Sequence, residues 1–347
     1  MEDTLFLWER LKKAEKPILI YGMGDGCDKI LSVCREKDIR ISGIFASDEF
    51  VREKTVHGFP LTSFAKARET FGDMIVLLAF GVFRSDMTAR LLELSKQCEL
   101  YAPEVPLFGK DLFDREYYTA HRNEIEKARA LMADEASVRI FDRLVCYKIS
   151  GKIDALLGDT TTQSEDLATL VRPQKGDIYL DLGAYDGDTV SQWHRLFPEH
   201  GKIVGVEPNH KTFLKMQENC RDIPFFEGLE AAAWCRMETL RFNGKTGRSA
   251  ALSEFGSATV FALPPDDMVV RADYIKYDVE GAEKEAIEGS ERLIREYRPK
   301  LCISAYHRTE DFFALPLQVH RLLPDYRTFL RRGQYIPAWD TVYYFIP

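Results

Sequence analysis

Three groups of residues in this sequence have the types and spacing that could do chemistry. The first is the run Asp181-Leu182-Gly183-Ala184-Tyr185-Asp186-Gly187-Asp188-Thr189, in which an apolar strand meets a glycine-containing turn and then a helix. Gly183 and Gly187 remove side chains where a bound molecule must approach the backbone. The helix start at Asp188 or Thr189 offers unpaired N–H groups to a carboxylate. Asp181 and Asp186 add negative charge, which suits a cationic sulfonium and ammonium ligand better than a pyrophosphate. The competing reading is a structural βα turn, as found in any doubly wound protein.

The second group is Ile203-Val204-Gly205-Val206-Glu207-Pro208. It reads as the next strand, ending in an acid about 20 residues past the turn, where a carboxylate can accept both hydroxyls of a ribose. Glu207 could instead cap the following helix. The third group is Asp278, Glu280 and Glu283, at the end of a strand beginning at Tyr274, with His307 after the strand 301–306. A hydroxyl that attacks an electrophilic carbon must lose its proton, and His307 or one of the carboxylates could accept it. Asp278, Glu280 and His307 could equally hold a hard divalent ion, although no metal site is predicted. Acids at 280 and 283 also lie where they would stabilise a helix dipole with no catalytic purpose.

The elements that must position these groups alternate between strand and helix. In the second half, strands are expected near 178–182, 203–207, 223–227, 274–278 and 301–306. They are followed by Asp325 to Arg331 and Thr341 to Ile346, joined by a loop too short for a crossover helix. That last pair must be antiparallel, which puts a hairpin at the end of an otherwise parallel sheet. The first half repeats the α/β pattern on a smaller scale, with strands at 17–21, 39–45 and 74–80 and the turn Gly22-Met23-Gly24-Asp25-Gly26. The intervening residues, from Leu112 to Leu157, read as helical. The expected organisation is a Rossmann-like α/β domain over 1–110, a helical bridge over 111–170 and a second α/β domain over 171–347.

The 347 residues are 45% hydrophobic and 29% charged, the balance of a soluble globular protein, with no apolar run of membrane-spanning length. The amino terminus lacks the apolar core of a secretory signal, so cytoplasmic residence is expected. Seven dispersed cysteines without a C-x-x-C pair argue against zinc or a redox centre. A net charge of −8 argues against general affinity for nucleic acid and fits a small-molecule or glycan partner.

Taken in order, DLGAYDGDT, VGVEPN, YIKYDVEGAEKEAI, ISAYHR and WDTVYYF resemble the FkbM methyltransferase family over residues 171 to 347. The resemblance implies a class I methyltransferase fold, S-adenosylmethionine as methyl donor, and O-methylation of hydroxyls on sugars, glycans or related metabolites. It assigns Asp181, Gly183, Ala184, Asp186 and Gly187 to the methionine end of the cofactor and Glu207 to its ribose. Tyr185, Thr189 and Pro208, which lie within the same two motifs, complete the candidate cofactor set. Asp278, Glu280 and His307 form the candidate catalytic set, with Arg308, Arg331, Arg332 and Trp339 as candidates to shape the acceptor pocket.

Two other readings compete. In one, the GMGDG turn binds NAD and the protein oxidises a nucleotide sugar, although Cys27 stands where the dinucleotide motif has its third glycine. In the other, the chain is a non-catalytic nucleotide-binding assembly module. If the first domain is a relic fold, its expected uses are homodimerisation or acceptor docking.

Overall fold

The structure, a computed structural model, describes residues 5–243, 251–252 and 258–347. The chain forms two compact units: residues 1–123, 139–160 and 334–340 make the first, and residues 124–138, 161–333 and 341–347 the second.

The first unit is built on a six-stranded sheet of β1 (Ile18–Tyr21), β2 (Gly43–Ala46), β3 (Thr55–Val56), β4 (Phe59–Ser63), β5 (Ile75–Leu78) and β6 (Glu99–Tyr101). Its spatial order is β3-β4-β2-β1-β5-β6, parallel except for the short β3–β4 pair. Helices α1 (Leu7–Lys12), α2 (Asp25–Glu36), α3 (Phe64–Phe71) and α4 (Ser85–Ser95) accompany it. Strands β1, β2 and β5 are buried at every position, which explains why they read as continuous apolar runs without alternation. Helices α5 (Arg115–Ala130) and α6 (Glu135–Ser150) follow in the chain.

In the second unit a short α7 (Gln163–Asp166), closed at its start by a Thr162–Glu165 capping box, leads to the main sheet. That sheet comprises β7 (Tyr179–Leu182), β8 (Ile203–Val206), β9 (Phe226–Leu229) and four later strands. A smaller sheet comes between them, formed by β10 (Ala232–Ala233), β11 (Glu238–Asn243), β12 (Ala251–Leu252) and β13 (Ala258–Leu263). The main sheet is completed by β14 (Tyr274–Tyr277), β15 (Lys300–Ser304), β16 (Arg327–Arg332) and β17 (Thr341–Ile346), in the order β16-β17-β15-β14-β7-β8-β9. The helices are α8 (Asp188–Leu196), α9 (His210–Cys220), α10 (Pro265–Met268), α11 (Glu283–Glu288), α12 (Glu291–Tyr297) and α13 (Asp311–Leu322).

Strands β9, β8, β7, β14 and β15 run parallel, while β17 pairs antiparallel with both β15 and β16. The expected terminal hairpin is therefore present, and the fold is that of a class I methyltransferase. Two expectations shift. The third strand starts at Phe226 and not at 223, because Pro224 has no N–H to donate to a ladder and Phe225 takes a left-handed φ of 58°. The small sheet of β10 to β13 did not stand out in the sequence, since its short strands carry no sustained alternation.

Chain order makes β7 the turning point: β8 and β9 extend the sheet to one side, and β14 and β15 to the other. Open α/β sheets bind ligands in the crevice outside the strand ends at such a switch point. Helix α8 is fixed beneath it by Trp193, 1% exposed, whose indole stacks on Tyr274 at 4.9 Å and 7° and lies 4.7 Å from Tyr179. Burying an aromatic of this size stabilises the helix–sheet contact by roughly 2–3 kcal/mol.

Candidate active site

The turn after β7 is shaped by close approach of protein to protein. Gly183 has φ +82°, and a Cβ there would lie 1.9 Å from the carbonyl oxygen of Asp278. Gly187, the N-cap of α8 at φ +86°, would place a Cβ 2.4 Å from Cys220 Sγ. Both glycines are thus demanded by the chain itself, which packs the first motif against the third and against α9. The N–H groups of Gly183 and Ala184 both donate to the Val206 carbonyl, at 3.0 and 2.9 Å. Ala184 points into the core, so only its backbone faces the turn. Tyr185 (φ +49°) and Glu280 (φ +55°) are held in left-handed conformations that cost a non-glycine residue free energy. Both stand at the carboxyl ends of β7 and β14.

Asp181 is fully buried. Its register partner on β14 is Lys276, whose Nζ lies 3.1 Å from Asp181 Oδ1, 3.6 Å from Asp278 Oδ2 and 3.4 Å from the Gly183 carbonyl. The other Asp181 oxygen accepts the Thr189 hydroxyl at the start of α8. Burial opposes the ammonium charge, but Asp181 and Asp278 outweigh it and raise the Lys276 pKa. Asp181 and Thr189 therefore belong to a buried ion-pair network that braces the turn, and the less buried acids there are Asp186, Asp188 and Asp278.

A second cation stands on the other side of Asp278. His307, 1% exposed, places Nδ1 2.8 Å from Glu283 Oε1, with Nε2 3.5 Å from Glu280 Oε2 and 3.8 Å from Asp278 Oδ1. Burial would lower its pKa, yet Glu283 first, then Asp278 and Glu280, raise it to about 10. At neutral pH His307 is an imidazolium, which cannot take a proton from a substrate. Asp278 is pushed upward by burial but is held below the usual aspartate value by Lys276 and then His307. Tyr306 donates to it over 3.4 Å. Of the candidate catalytic residues, Asp278 and Glu280 keep side chains 33% and 29% exposed, and His307 lies behind them.

Glu207 directly follows β8 and is 8% exposed. It accepts the Asn209 N–H at 2.8 Å and a further bond from the Tyr185 N–H. Desolvation nevertheless dominates and pushes its pKa up to about 7. A carboxylate so placed is stabilised by any additional donor brought to it. Pro208 follows, half-buried, before α9.

Three members of the site carried less weight in the sequence. Lys276 interrupts the apolar strand Tyr274–Tyr277, and a lysine in a fully buried strand must be paired, which was the available signal. Glu283 is tied to the Val279 N–H at 2.9 Å as well as to His307. Asp311, pushed up to about 8 by burial and by Glu283, accepts the Arg308 N–H; only packing brings it there. Among the acceptor-pocket candidates, Arg308 donates to the Gly281 carbonyl at 2.7 Å. Arg331 is committed to Asp134 at 2.6 Å and to Ser137, and Arg332 is buried. Trp339 belongs to the first unit, beside Tyr335. Among the described residues no group of three or more histidines, cysteines and acids has the arrangement to hold a metal ion, and no helix is long and apolar enough to cross a membrane.

The profile of the methyltransferase FkbM domain matches residues 181 to 337, from the buried aspartate of the turn to the loop of the terminal hairpin. The second unit carries an FkbM methyltransferase domain. Its activity is methyl transfer from S-adenosylmethionine. The crystal structure of methyltransferase FkbM from Methylobacillus flagellatus KT superposes with a TM-score of 0.74 over 95% of this chain and 90% of its own, at 19% identity, which shows a shared fold. Fibrillarin from Aeropyrum pernix with bound S-adenosyl-L-methionine aligns over 53% of this chain and 73% of its own (TM-score 0.34, 16% identity). Precorrin-6y C5,15-methyltransferase from Geobacter metallireducens aligns over 54% and 90% (TM-score 0.35, 13% identity). No curated protein matches the sequence.

The residues present fit S-adenosylmethionine. Glu207 offers a buried carboxyl with capacity for donors beyond the Asn209 and Tyr185 N–H groups, and the acids of the β7 and β14 ends complement a sulfonium.

Proposed function

We propose that the FkbM domain methylates a hydroxyl oxygen of a sugar, glycan or related polyol. The observation that carries this reading is the arrangement around Asp278: its carboxylate stands at the β14 end with both neighbouring cations, Lys276 and His307, buried behind it. The groups presented outward are carboxylate acceptors, Asp278 and Glu280. Such a surface favours a neutral substrate rich in hydroxyl donors and disfavours a phosphate or carboxylate.

When bound, S-adenosylmethionine supplies an electrophilic methyl group on a cationic sulfur. Glu207 holds the ribose hydroxyls, and the turn that leads from β7 into α8 receives the methionine end of the cofactor, with Gly187 and Thr189 shaping that turn through their bonds to Ala184, Asp188 and Asp181. Tyr185, Asp186 and Pro208, half-buried in the same two motifs, lie beside these residues, and the Asp186 charge suits a cationic ligand. Asp278 takes the proton that the acceptor hydroxyl releases as its oxygen attacks, because His307 is already protonated. Glu280 orients a second hydroxyl, and the His307 imidazolium keeps both carboxylates in place. Holding the two reactants together supplies much of the acceleration.

The test is transfer of an isotope-labelled methyl group to a panel of sugars, glycans, amines and carbon acids. Label on oxygen, lost in Asp278→Asn while adenosylhomocysteine binding persists, supports the proposal. Label on nitrogen or carbon overturns it.

A further inference from the structure

A cavity of about 780 Å³ opens in the first unit, a volume within the roughly 300–1,000 Å³ typical of small-molecule sites. It lies at the carboxyl ends of β1 and β2, with Tyr21 closing β1 and Phe45, Ala46, Ser47 and Asp48 closing β2. The far wall is formed by α3 and α4 through Phe64, Met87 and Leu94. All of these residues lie within one unit.

The lining describes its ligand. Tyr21 and Phe45 are stacked on each other at 4.7 Å and 9° and are almost wholly buried, and the Tyr21 hydroxyl is fixed 2.6 Å from Ser47 Oγ, so this end is a rigid aromatic floor with a polar edge. Half-buried Phe64 and Met87 add apolar surface for a flat ring. Asp48 is exposed just past the second strand, where doubly wound sheets place the acid that accepts two vicinal ribose hydroxyls. The charged residues lining the cavity are two acids, Asp48 and Glu93, and two bases, Arg90 and Lys96. Lys96 is paired with Glu93 at 2.6 Å, which leaves no net charge to draw an ion.

In the glycine turn beside this cavity, a Cβ on Gly22 would lie 2.8 Å from Phe80 Cδ1 and one on Gly26 2.3 Å from the Ala79 carbonyl oxygen, whereas the space around Gly24 is open, so what opposes a pyrophosphate there is charge and not protein bulk. Asp25 and Asp28 stand in the first turn of α2 and oppose an anion there. The two acids weigh against a working NAD site while leaving the ring-and-diol half of the crevice open.

We propose that this cavity is a second ligand site, separate from the methyl-transfer centre, and that it takes an uncharged nucleoside. The flat base lies against the aromatic and methionine walls, and the ribose diol donates to Asp48. The assignment rests on the first unit alone and stands whether or not the acceptor of the FkbM domain is a sugar.

The experiment is calorimetric titration of the full chain with adenosine, uridine and AMP, with adenosylhomocysteine already saturating so that the cofactor pocket cannot report. If adenosylhomocysteine does not bind, that pocket does not compete and the titration is read directly. Two variants accompany it: Asp48→Ala removes the diol acceptor, and Ala65→Trp, at an exposed lining position, fills the cavity. The expected result is saturable binding of at least one nucleoside, weakened about tenfold or more by each variant, a loss of ~1.4 kcal/mol. Adenosylhomocysteine affinity is expected to be unchanged in both variants. AMP is expected to bind more weakly than adenosine. No nucleoside binding, binding indifferent to both variants, or a preference for AMP overturns the proposal.

Discussion

The unusual ionisation of Glu207 makes cofactor binding a proton-linked event. Burial pushes this carboxyl up to about 7, from an ordinary 4.5. For an acid with a raised folded-state value the sign is fixed: its contribution to stability is complete below pH 4.5 and is lost as the pH rises through about 7, where it must ionise while buried. Ribose hydroxyls donate more strongly to the ionised form, whose two oxygens both accept, so their arrival favours loss of the proton. The free protein at pH 7 is about half protonated at Glu207, and adenosylhomocysteine should release roughly 0.5 proton on binding at pH 7 and ~0.9 at pH 6. Its affinity should fall about tenfold between pH 8 and pH 6, or ~1.4 kcal/mol. Calorimetry in buffers of different ionisation enthalpy measures the released proton directly. Glu207→Gln removes the titration and should leave weak binding with a flat pH profile. Affinity independent of pH from 6 to 8 in the wild-type protein, with no proton released, would refute the placement of the ribose against Glu207.

Further consequences follow from the same network. Lys276→Met leaves Asp181 and Asp278 without their shared cation and should cost ~3–5 kcal/mol in denaturant unfolding, with adenosylhomocysteine binding weakened as the turn loosens. His307, raised from 6.5 to about 10, contributes stability that is complete below pH 6.5 and disappears as the pH rises through about 10. The melting temperature should therefore decline over that interval, and His307→Gln should flatten the decline. Gly183→Ala forces a methyl group to 1.9 Å from the Asp278 carbonyl and should cost several kcal/mol, on the order of ~4. Gly176→Ala, with a similar φ of +80° but open space around it, should cost only ~1–2 kcal/mol. Equal losses at the two glycines, read from their melting curves, would show that backbone conformation and not the close approach sets the requirement.

Much of the second unit was legible in the sequence because local physics dictates it. The apolar strands, the glycine turn and the loop between Arg332 and Thr341, too short for a crossover, require a parallel sheet closed by an antiparallel hairpin. Acids at strand ends, Glu207 and Asp278, could be expected on the ligand rim because parallel strands present their carboxyl ends on one edge. The tertiary structure decided what those acids are paired with, since Asp181 and Lys276 meet across a strand pair separated by almost a hundred residues of sequence. That pairing makes Asp181 a buried brace where the sequence alone suggested open charge. The juxtaposition of His307 with Glu283, Glu280 and Asp278 likewise turns a candidate base into a cation, because proximity of three carboxylates outweighs desolvation. Gly183 and Gly187 were recognisable as glycines a turn must have. Only folding revealed that the atoms excluding a side chain belong to Asp278 and Cys220. Sequence fixes which backbone conformations and faces are available; the electrostatics of the site depend on distances across strands, which only the packed chain sets.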